Sequence, residues 1–470
     1  MTTVRAASGV NRRGHALGDP FHRVRLDSWV RLIAGTALWL GLLLVTYWWA
    51  AGGGLRDLAG WQSGLTSTGR LTGLVASDLL LVQVLLMARL PVLEGAFGQD
   101  RLARIHRIVG FTSFNLMLAH VVLITWGYAA GQVAATPRTF WQLTTGYPGM
   151  LLALGGTVAL MLVVFTSIKA ARRRIRYESW HLLHLYAYLG VGLALPHQLW
   201  TGQQFLTSTA ATVYWWTLWA AAAAAVLVFR VGLPLWRSAR HRVRVTSVVH
   251  EGDGTVSVYM TGRHLEELGA EAGQFFTWRF LGRKGWTRAH PYSLSAAPDA
   301  RSLRISVKAL GDDSAGLSRL RPGTPVLLEG PYGRLSPRAR SRHKVAFIGA
   351  GVGITPLRAL AEGLPYRRGE AVLLYRFHDQ PLFVHELNAL ERERGLDVLY
   401  LPGRRRSTRS WLGDHVGTAT DLTALRFWVP DLVERDLYVC GPEPWAAAVR
   451  ETALAAGLPP EQFHLETFSW

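Results

Sequence analysis

Four histidines carry the strongest chemical signal in the chain. His106 and His120 stand fourteen positions apart in one apolar run. His184 and His197 stand thirteen apart in another, which reads "WHLLHLYAYLGVGLALPHQLW" over 180–200. A polar group in such a run is costly and is a functional hypothesis by default. Neutral imidazole is a good ligand to haem iron, and ligation removes the cost of leaving it unpaired. At 1.5 Å per residue each step covers about 20 Å. Two helices running the same way would therefore offer imidazoles at two matched depths, enough for two stacked b-type haems. The competing reading gives each histidine a hydrogen bond to a neighbouring helix. Matched depths favour haem, with His106/His184 as the inner pair and His120/His197 as the outer pair. His181, one turn before His184, is the alternative inner ligand. Thirteen positions do not return a straight helix to the same face, and Pro196 is expected to bend or rewind it.

The elements that must position these groups are membrane spans. Six apolar runs reach the roughly 20 residues a span needs, near 30–51, 71–90, 107–129, 148–168, 181–200 and 210–233. Lys plus Arg number six in 1–31, two in 52–70, four in 89–107, one in 130–147, five in 169–180, none in 198–211 and five in 230–244. Rich and poor loops alternate, so both termini are expected in the cytoplasm. The formal net charge of +19 is read as membrane topology and not as a nucleic-acid surface. The first run is long enough to be a retained helix rather than a cleaved signal. A single cysteine, Cys440, excludes a disulfide framework, a cysteine-ligated iron–sulfur cluster and a covalent CxxCH haem site. Asp78, inside the second run, is expected to hydrogen-bond a neighbouring helix; a proton path is the weaker reading. Phe114, Tyr186 and Tyr188 are placed between the two depths, where helix packing is the simpler role.

From Val243 the pattern changes to alternation in short segments, as in "TVSVYMTG" and "LRISVKAL", which predicts a small antiparallel barrel. Within it "RAHPYSLS" offers an aromatic followed by a hydroxyl, Tyr292 and Ser293, which suits stacking on a flat ring and bonding its edge. Packing and a turn explain the same residues. "VKALGDDSAGL" places Lys308, Gly311 and Ser314 where they could meet a phosphate, or form a solvated turn. "HKVAFIGAGVGITPLRALAEG" then reads as strand, glycine turn and helix. Gly349, Gly351 and Gly353 would let phosphate approach the backbone where Thr355 and Pro356 open the helix. Strands and helices alternate from there to the end, implying a doubly wound parallel sheet.

These motifs, in this order, resemble the ferredoxin–NADP reductase flavoprotein superfamily over nearly all of 241–470. The apolar half resembles the ferric-reductase-like transmembrane domain, with the histidine spacing of NADPH oxidases; together the resemblance covers about residues 30–470. It implies four segments: a cytoplasmic stretch at 1–29, a six-helix haem-binding bundle at 30–235, an antiparallel β-barrel FAD domain at 241–340 and an α/β doubly wound NAD(P)H domain at 343–470. By resemblance Tyr292 stacks on the isoalloxazine, Ser293 approaches its N5 edge, and His290 and Pro291 belong to the same motif. Arg288 would supply the charge that many relatives carry at the His290 position. Lys308, Gly311 and Ser314 lie near the FAD pyrophosphate, and Gly349, Gly351, Gly353 and Thr355 cradle the dinucleotide. Cys440, Gly441 and Pro442 line the nicotinamide pocket. Glu466 and Phe468 match a terminal acid–x–aromatic pattern in which the aromatic covers the flavin, with Trp470 as the alternative. Arg376 and Arg404–Arg406 could pair with a 2′-phosphate, favouring NADPH over NADH; a solvated basic loop is the rival reading.

The implied activity is electron transfer from cytoplasmic NADPH through FAD and two b-type haems to an acceptor on the outer face. Dioxygen, giving superoxide, is the first expectation and a ferric chelate the second. An electron-supplying subunit for a separate partner protein ranks third, and a non-enzymatic haem-binding or sensor protein last. No EF-hand loop precedes the spans.

Overall fold

The computed structural model of this chain describes residues 20–168, 177–202, 205, 208–282 and 285–467. The first half is helical. Its long helices are α1 (Pro20–Trp49), α2 (Trp61–Met87), α3 (Gln99–Tyr128), α4 (Met150–Ser167), α5 (Tyr177–Thr201) and α6 (Thr209–Ala225), followed by α7 (Leu233–His241). Hydrocarbon offers no hydrogen bonds, so a segment that crosses it must satisfy its own backbone, and helix does so. Among the described residues five helical stretches are long and apolar enough to cross: Leu26–Asp57, Trp61–Met87, Gln99–Tyr128, Met150–Ser167 and Thr209–His241. The sequence predicts six. The difference is α5, whose 25 residues are long enough but whose three histidines and Gln198 dilute its apolar character. Large apolar side chains point outward from the bundle; Trp39, Phe111 and Phe165 are each about two-thirds exposed, the reverse of a water-soluble core.

Small residues let the helices close on one another. A Cβ on Gly156 of α4 would lie 2.7 Å from the Gly190 carbonyl of α5, and one on Gly190 would lie 3.0 Å from the Gly156 carbonyl. Such close backbone approach is how membrane helices associate where lipid removes the hydrophobic drive.

After α7 come β1 (Arg244–Gly252), β2 (Thr255–Thr261), β3 (Phe275–Phe280), β4 (His290–Ser293), β5 (Ser302–Lys308) and β6 (Val326–Tyr332). The sequence predicts one barrel. The hydrogen-bonded ladders instead form two three-stranded antiparallel sheets, β1-β2-β5 and β4-β3-β6. Single bridges, Arg244 to Pro325 and Leu294 to Ile305, join them at two seams. Val258, Met260, Phe276, Trp278, Leu294 and Ile305 fill the space between. The Trp278 indole N–H donates to the Tyr292 carbonyl at 3.0 Å, which fixes β4 across the sheet.

The last part holds β7 (Lys344–Ala350), α8 (Ile354–Gly363), β8 (Ala371–Arg376), α9 (Val384–Arg394), β9 (Leu396–Leu401), α10 (Asp421–Trp428), β10 (Arg435–Gly441), α11 (Glu443–Ala455) and β11 (Phe463–Thr467). Its five strands are parallel, in the order β11-β10-β7-β8-β9. β10 is buried along its whole length, as expected when helices cover both faces of a parallel sheet. The chain moves outward from β7 through β8 and β9, then returns to the other side at β10. The carboxyl ends of β7 and β10 therefore flank a topological switch point, where open α/β sheets bind ligands.

Candidate functional site

The four histidines of α3 and α5 meet as two pairs. The ring centres of His106 and His184 are 6.1 Å apart, and those of His120 and His197 are 6.2 Å apart. With metal–nitrogen bonds of about 2 Å, two imidazoles on opposite sides of one metal hold their centres roughly 6 Å apart. Both pairs are made although α5 separates its histidines by thirteen positions. Pro196 lies inside that helix, and the backbone at Pro196 and His197 presses on Gly149, whose Cβ would come within 2.8 Å of the His197 nitrogen.

Each ring is oriented through Nδ1. His106 meets the Gln83 carbonyl at 3.2 Å and His120 the Gly69 carbonyl at 2.7 Å. His184 meets Ser167 Oγ at 3.3 Å and His197 meets Thr201 Oγ1 at 2.7 Å. That leaves Nε2 as the nitrogen that could bind a metal, and partners of this kind fix the orientation of metal-bound imidazoles. Glycine makes room: a Cβ at Gly73 would lie 2.4 Å from His120 Nδ1, and one at Gly110 would lie 2.6 Å from Gln83 Oε1. These supporting residues were not read from the sequence, although the glycines of α2 at 69 and 73 mark the face His120 enters.

All four histidines line one cavity of about 1910 Å³. Arg89, Arg107 and Arg230 line it, Arg89 where the bundle meets Tyr332 of the C-terminal half, and Arg70, paired with Asp57, lines it beside Gly69 and His120. His181 also lines it, but the ring opposite His106 is that of His184. Phe114 and Tyr188 border the cavity. Asp78 lies outside it, buried, accepting a hydrogen bond from the Tyr214 hydroxyl. The donor set is therefore two oriented imidazole pairs around a largely apolar space, with Arg89, Arg107 and Arg230 toward the His106/His184 pair and Arg70, paired with Asp57, toward the His120/His197 pair. Haem, an apolar ring with carboxylates on one edge, fits it.

In the C-terminal half Tyr292 and Ser293 sit on β4, paired with Phe276 and Phe275 of β3. The Tyr292 ring stacks with His290 at 6.0 Å. Asp313 draws Arg288 to 2.8 Å and His290 to 3.8 Å, so these residues converge on one carboxylate. Pro291 continues β4 opposite Thr277. Two expected phosphate contacts have local partners. Lys308 pairs with Asp253 at 2.6 Å, and Ser314 Oγ accepts the Leu310 and Gly311 N–H groups at 2.9 and 3.0 Å.

At the switch point Gly349 is buried next to the end of β7, and Gly351 takes a left-handed φ of 56° with open space where a Cβ would be. Gly353 has no such space: a Cβ there would lie 2.3 Å from the Cys440 carbonyl. Glycine is thus required for α8 to start against β10. Thr355 Oγ1 donates to the Val352 carbonyl at 2.9 Å, and Pro356 occupies the first turn. The Cys440 side chain is buried in the core under the sheet, where burial pushes its thiol well above the ordinary range. Gly441 and Pro442 lead into α11.

Glu466 stands beside Cys440 on β11. Burial, aided by Asp100, pushes its carboxyl up to about 8. Arg376, its pKa lowered by burial and then by Arg405, donates to the Gly403 carbonyl at 3.3 Å. Arg405 is committed to the Thr408 and Pro444 carbonyls and Arg406 to those of Gly417 and Ala419. Arg406 braces its own loop and Arg405 also ties it to the start of α11, whereas Arg404 contacts His378. Phe468 and Trp470 lie outside the described residues, as does the basic stretch 169–176.

Residues 72–195 match the family described as ferric reductase like transmembrane component. Among curated proteins, the reductase subunit Stc4 of stachydrine N-demethylase from Rhizobium meliloti is 31% identical over 210 residues, covering 42% of this chain and 58% of its own. An NADPH oxidoreductase of Mycobacterium tuberculosis is 27% identical over 248 residues, covering 50% and 62%. The chain thus spans about three-fifths of the length of these relatives. Among solved structures, the flavohaem-like FAD/NAD-binding domain of a nitric oxide dioxygenase from Vibrio cholerae matches with a TM-score of 0.39 and 22% identity, covering 48% of this chain and 98% of that one.

Proposed function

We propose that this chain, of which residues 72–195 match the ferric reductase like transmembrane component family and part is similar to a reductase subunit and an NADPH oxidoreductase, is a transmembrane oxidoreductase. On this reading it takes electrons from cytoplasmic NADPH and delivers them to dioxygen on the outer face, forming superoxide. The observation that carries the reading is the stack of two oriented imidazole pairs in one cavity, with centres 6.1 and 6.2 Å apart. The chemistry supplied by the bound groups is hydride transfer at the nicotinamide–flavin pair and one-electron transfer along two b-type haems.

The chain's own residues orient and enclose. His106 and His184 would hold the near haem, and His120 and His197 the far one, through Nε2. Arg107 and Arg230 would meet the near haem's carboxylates. Tyr292 would face the flavin ring and Ser293 its N5 edge, with Arg288, His290 and Pro291 beside them. Gly311 and Lys308 would stand near the pyrophosphate. Gly349, Gly351, Gly353, Thr355 and Pro356 would cradle the dinucleotide, with Gly441 and Pro442 at its nicotinamide end and Arg376 near its 2′-phosphate. Cys440 would act through its backbone and bulk, since its thiol is buried. Glu466 and Phe468 would close the flavin face.

A second acceptor, a ferric chelate, is supported by the description of the family that residues 72–195 match. A reduced-minus-oxidised spectrum with haem quantitation on the purified protein tests the core of the reading. Two b-type haems per chain are expected, and none would overturn it. NADPH oxidation with oxygen and then with ferric chelate separates the acceptors. Dye reduction abolished by superoxide dismutase selects dioxygen.

A further inference from the structure

Arg89 occupies the turn between α2 and the short helix Pro91–Phe97 in a left-handed backbone conformation, φ 64°. Few non-glycine residues adopt such a φ without surrounding support. Here the support is the side chain, which is mostly buried and committed in two directions. On its own side Nη1 donates to Glu94 at 2.7 Å and Gln99 at 3.0 Å. Across the junction its guanidinium lies over the Tyr332 ring at 4.2 Å, and Nε is 3.9 Å from Glu329. The Tyr332 hydroxyl donates to the same Glu329 at 3.0 Å. Glu329 and Tyr332 belong to β6 of the flavin-type sheets, and Arg89 also borders the histidine cavity.

The residues behind Tyr332 extend the line. Its ring packs on Phe275 at 5.8 Å, and Phe275 is the β3 partner of Ser293 in one direction and Tyr332 in the other. Ser293, Phe275, Tyr332 and Arg89 thus form a continuous contact from the expected flavin edge to the near end of the cavity. We propose that Arg89, clasped to Tyr332 and Glu329, is the positioning residue that holds the flavin-binding sheets at a fixed approach to the near histidine pair. It would thereby set the rate of electron transfer between the two halves. This rests on the function proposed above. With flavin and haem bound, the step concerned would be one-electron transfer between them; Arg89 would make no bond and carry no proton in it.

The choice of arginine follows from geometry. A planar guanidinium can stack on an aromatic face while its edge serves carboxylates, which a lysine ammonium cannot do. Removing it would leave Glu94 and Glu329 without their shared cation in a mostly buried junction.

The test compares Arg89→Met, Arg89→Lys and Tyr332→Leu with the unaltered full-length protein in lipid nanodiscs. Rapid mixing with NADPH follows flavin bleaching and haem reduction separately. Arg89→Met should leave flavin bleaching unchanged and slow haem reduction about tenfold or more. Arg89→Lys should recover part of the loss, and Tyr332→Leu should reproduce it from the other side of the clasp. Hydrogen exchange on the cofactor-free chain gives a readout independent of turnover: amides of 326–332 should exchange faster in Arg89→Met. Equal slowing of both optical steps would indicate general damage and overturn the proposal, as would unchanged haem reduction with unchanged exchange. Absence of any haem spectrum from the unaltered protein would instead overturn the proposed function, leaving the exchange experiment to decide the clasp.

Discussion

An imidazole pair is only as well placed as the oxygen atoms that turn it. Each of the four Nδ1 atoms has such an oxygen within 3.3 Å, and His120 also needs the absence of a side chain at Gly73. Gly73→Ala would put a carbon 2.4 Å from His120 Nδ1. Haem content should fall by about half as the far pair is lost, measured by haem extraction, while His181→Ala should leave it intact. Glu466 yields a prediction of a different kind. Its carboxyl is pushed up to about 8 from an ordinary 4.5. Between these values the unfolded chain has already released a proton that the folded chain keeps. Folded stability therefore falls as pH rises through that window and levels off above it. Glu466→Gln should remove this slope, and thermal melts across the window should show the variant gaining on the unaltered protein as pH rises.

Between elements the decisive contacts are charged and buried. Arg304 of β5 grips Glu386 of α9 at 2.7 Å, and Arg358 of α8 reaches the same carboxylate at 2.6 Å while pairing with Glu362. The Glu362 carboxylate also accepts the Ala297 N–H at 2.6 Å. Four charges thus tie the flavin-type sheets to the nucleotide-type sheet, with both arginine side chains under a tenth exposed. Glu386→Ala strips both arginines of a shared partner and should cost about 3–5 kcal/mol, read from denaturant unfolding of the C-terminal half monitored within the intact protein. Arg358 and Glu362 stand four apart on one helix, but Arg304–Glu386 and Ala297–Glu362 join residues 82 and 65 positions apart, and no local spacing announces them. The order of elements is different. Alternation in "TVSVYMTG" and the strand–glycine–helix pattern at 344–363 are local, and β2, β7 and α8 arise there. For the antiparallel barrel, alternation specifies which face of each strand is apolar, but not whether the edge strands continue one ladder or meet at single bridges, as these two sheets do.

For the whole molecule the arrangement of charge relative to the spans makes the strongest prediction. The loops rich in arginine and lysine alternate with poor ones, so reporter domains fused after Tyr147 and after Arg240 should report opposite sides of the membrane, the latter cytoplasmic. Reporters on the same side would overturn the orientation. The junction is built to match. Besides the Arg89 clasp, Arg334 pairs with Asp27 at 3.6 Å, and Arg237 donates to the Gly330 carbonyl. The C-terminal half is thereby held against one end of the bundle.

Composition and spacing by themselves determined that the first half is apolar helix and the second half strands and alternating α/β elements. They also singled out the four histidines, because burial and periodicity are properties of neighbouring residues. Only the tertiary structure decided which imidazoles meet. His181 and His184 are one turn apart in the same apolar run, and the choice of His184 opposite His106 depends on how α5 is rotated by packing at Gly149, Gly156 and Gly190. The same holds for the basic run: Arg405 and Arg406 look equivalent to Arg404 in the chain, yet backbone carbonyls of their own loop claim them. Arg89 shows the limit most clearly. In sequence it is one loop arginine among many, and its partners Glu329 and Tyr332 lie some 240 residues away, so their meeting depends on how the two halves dock.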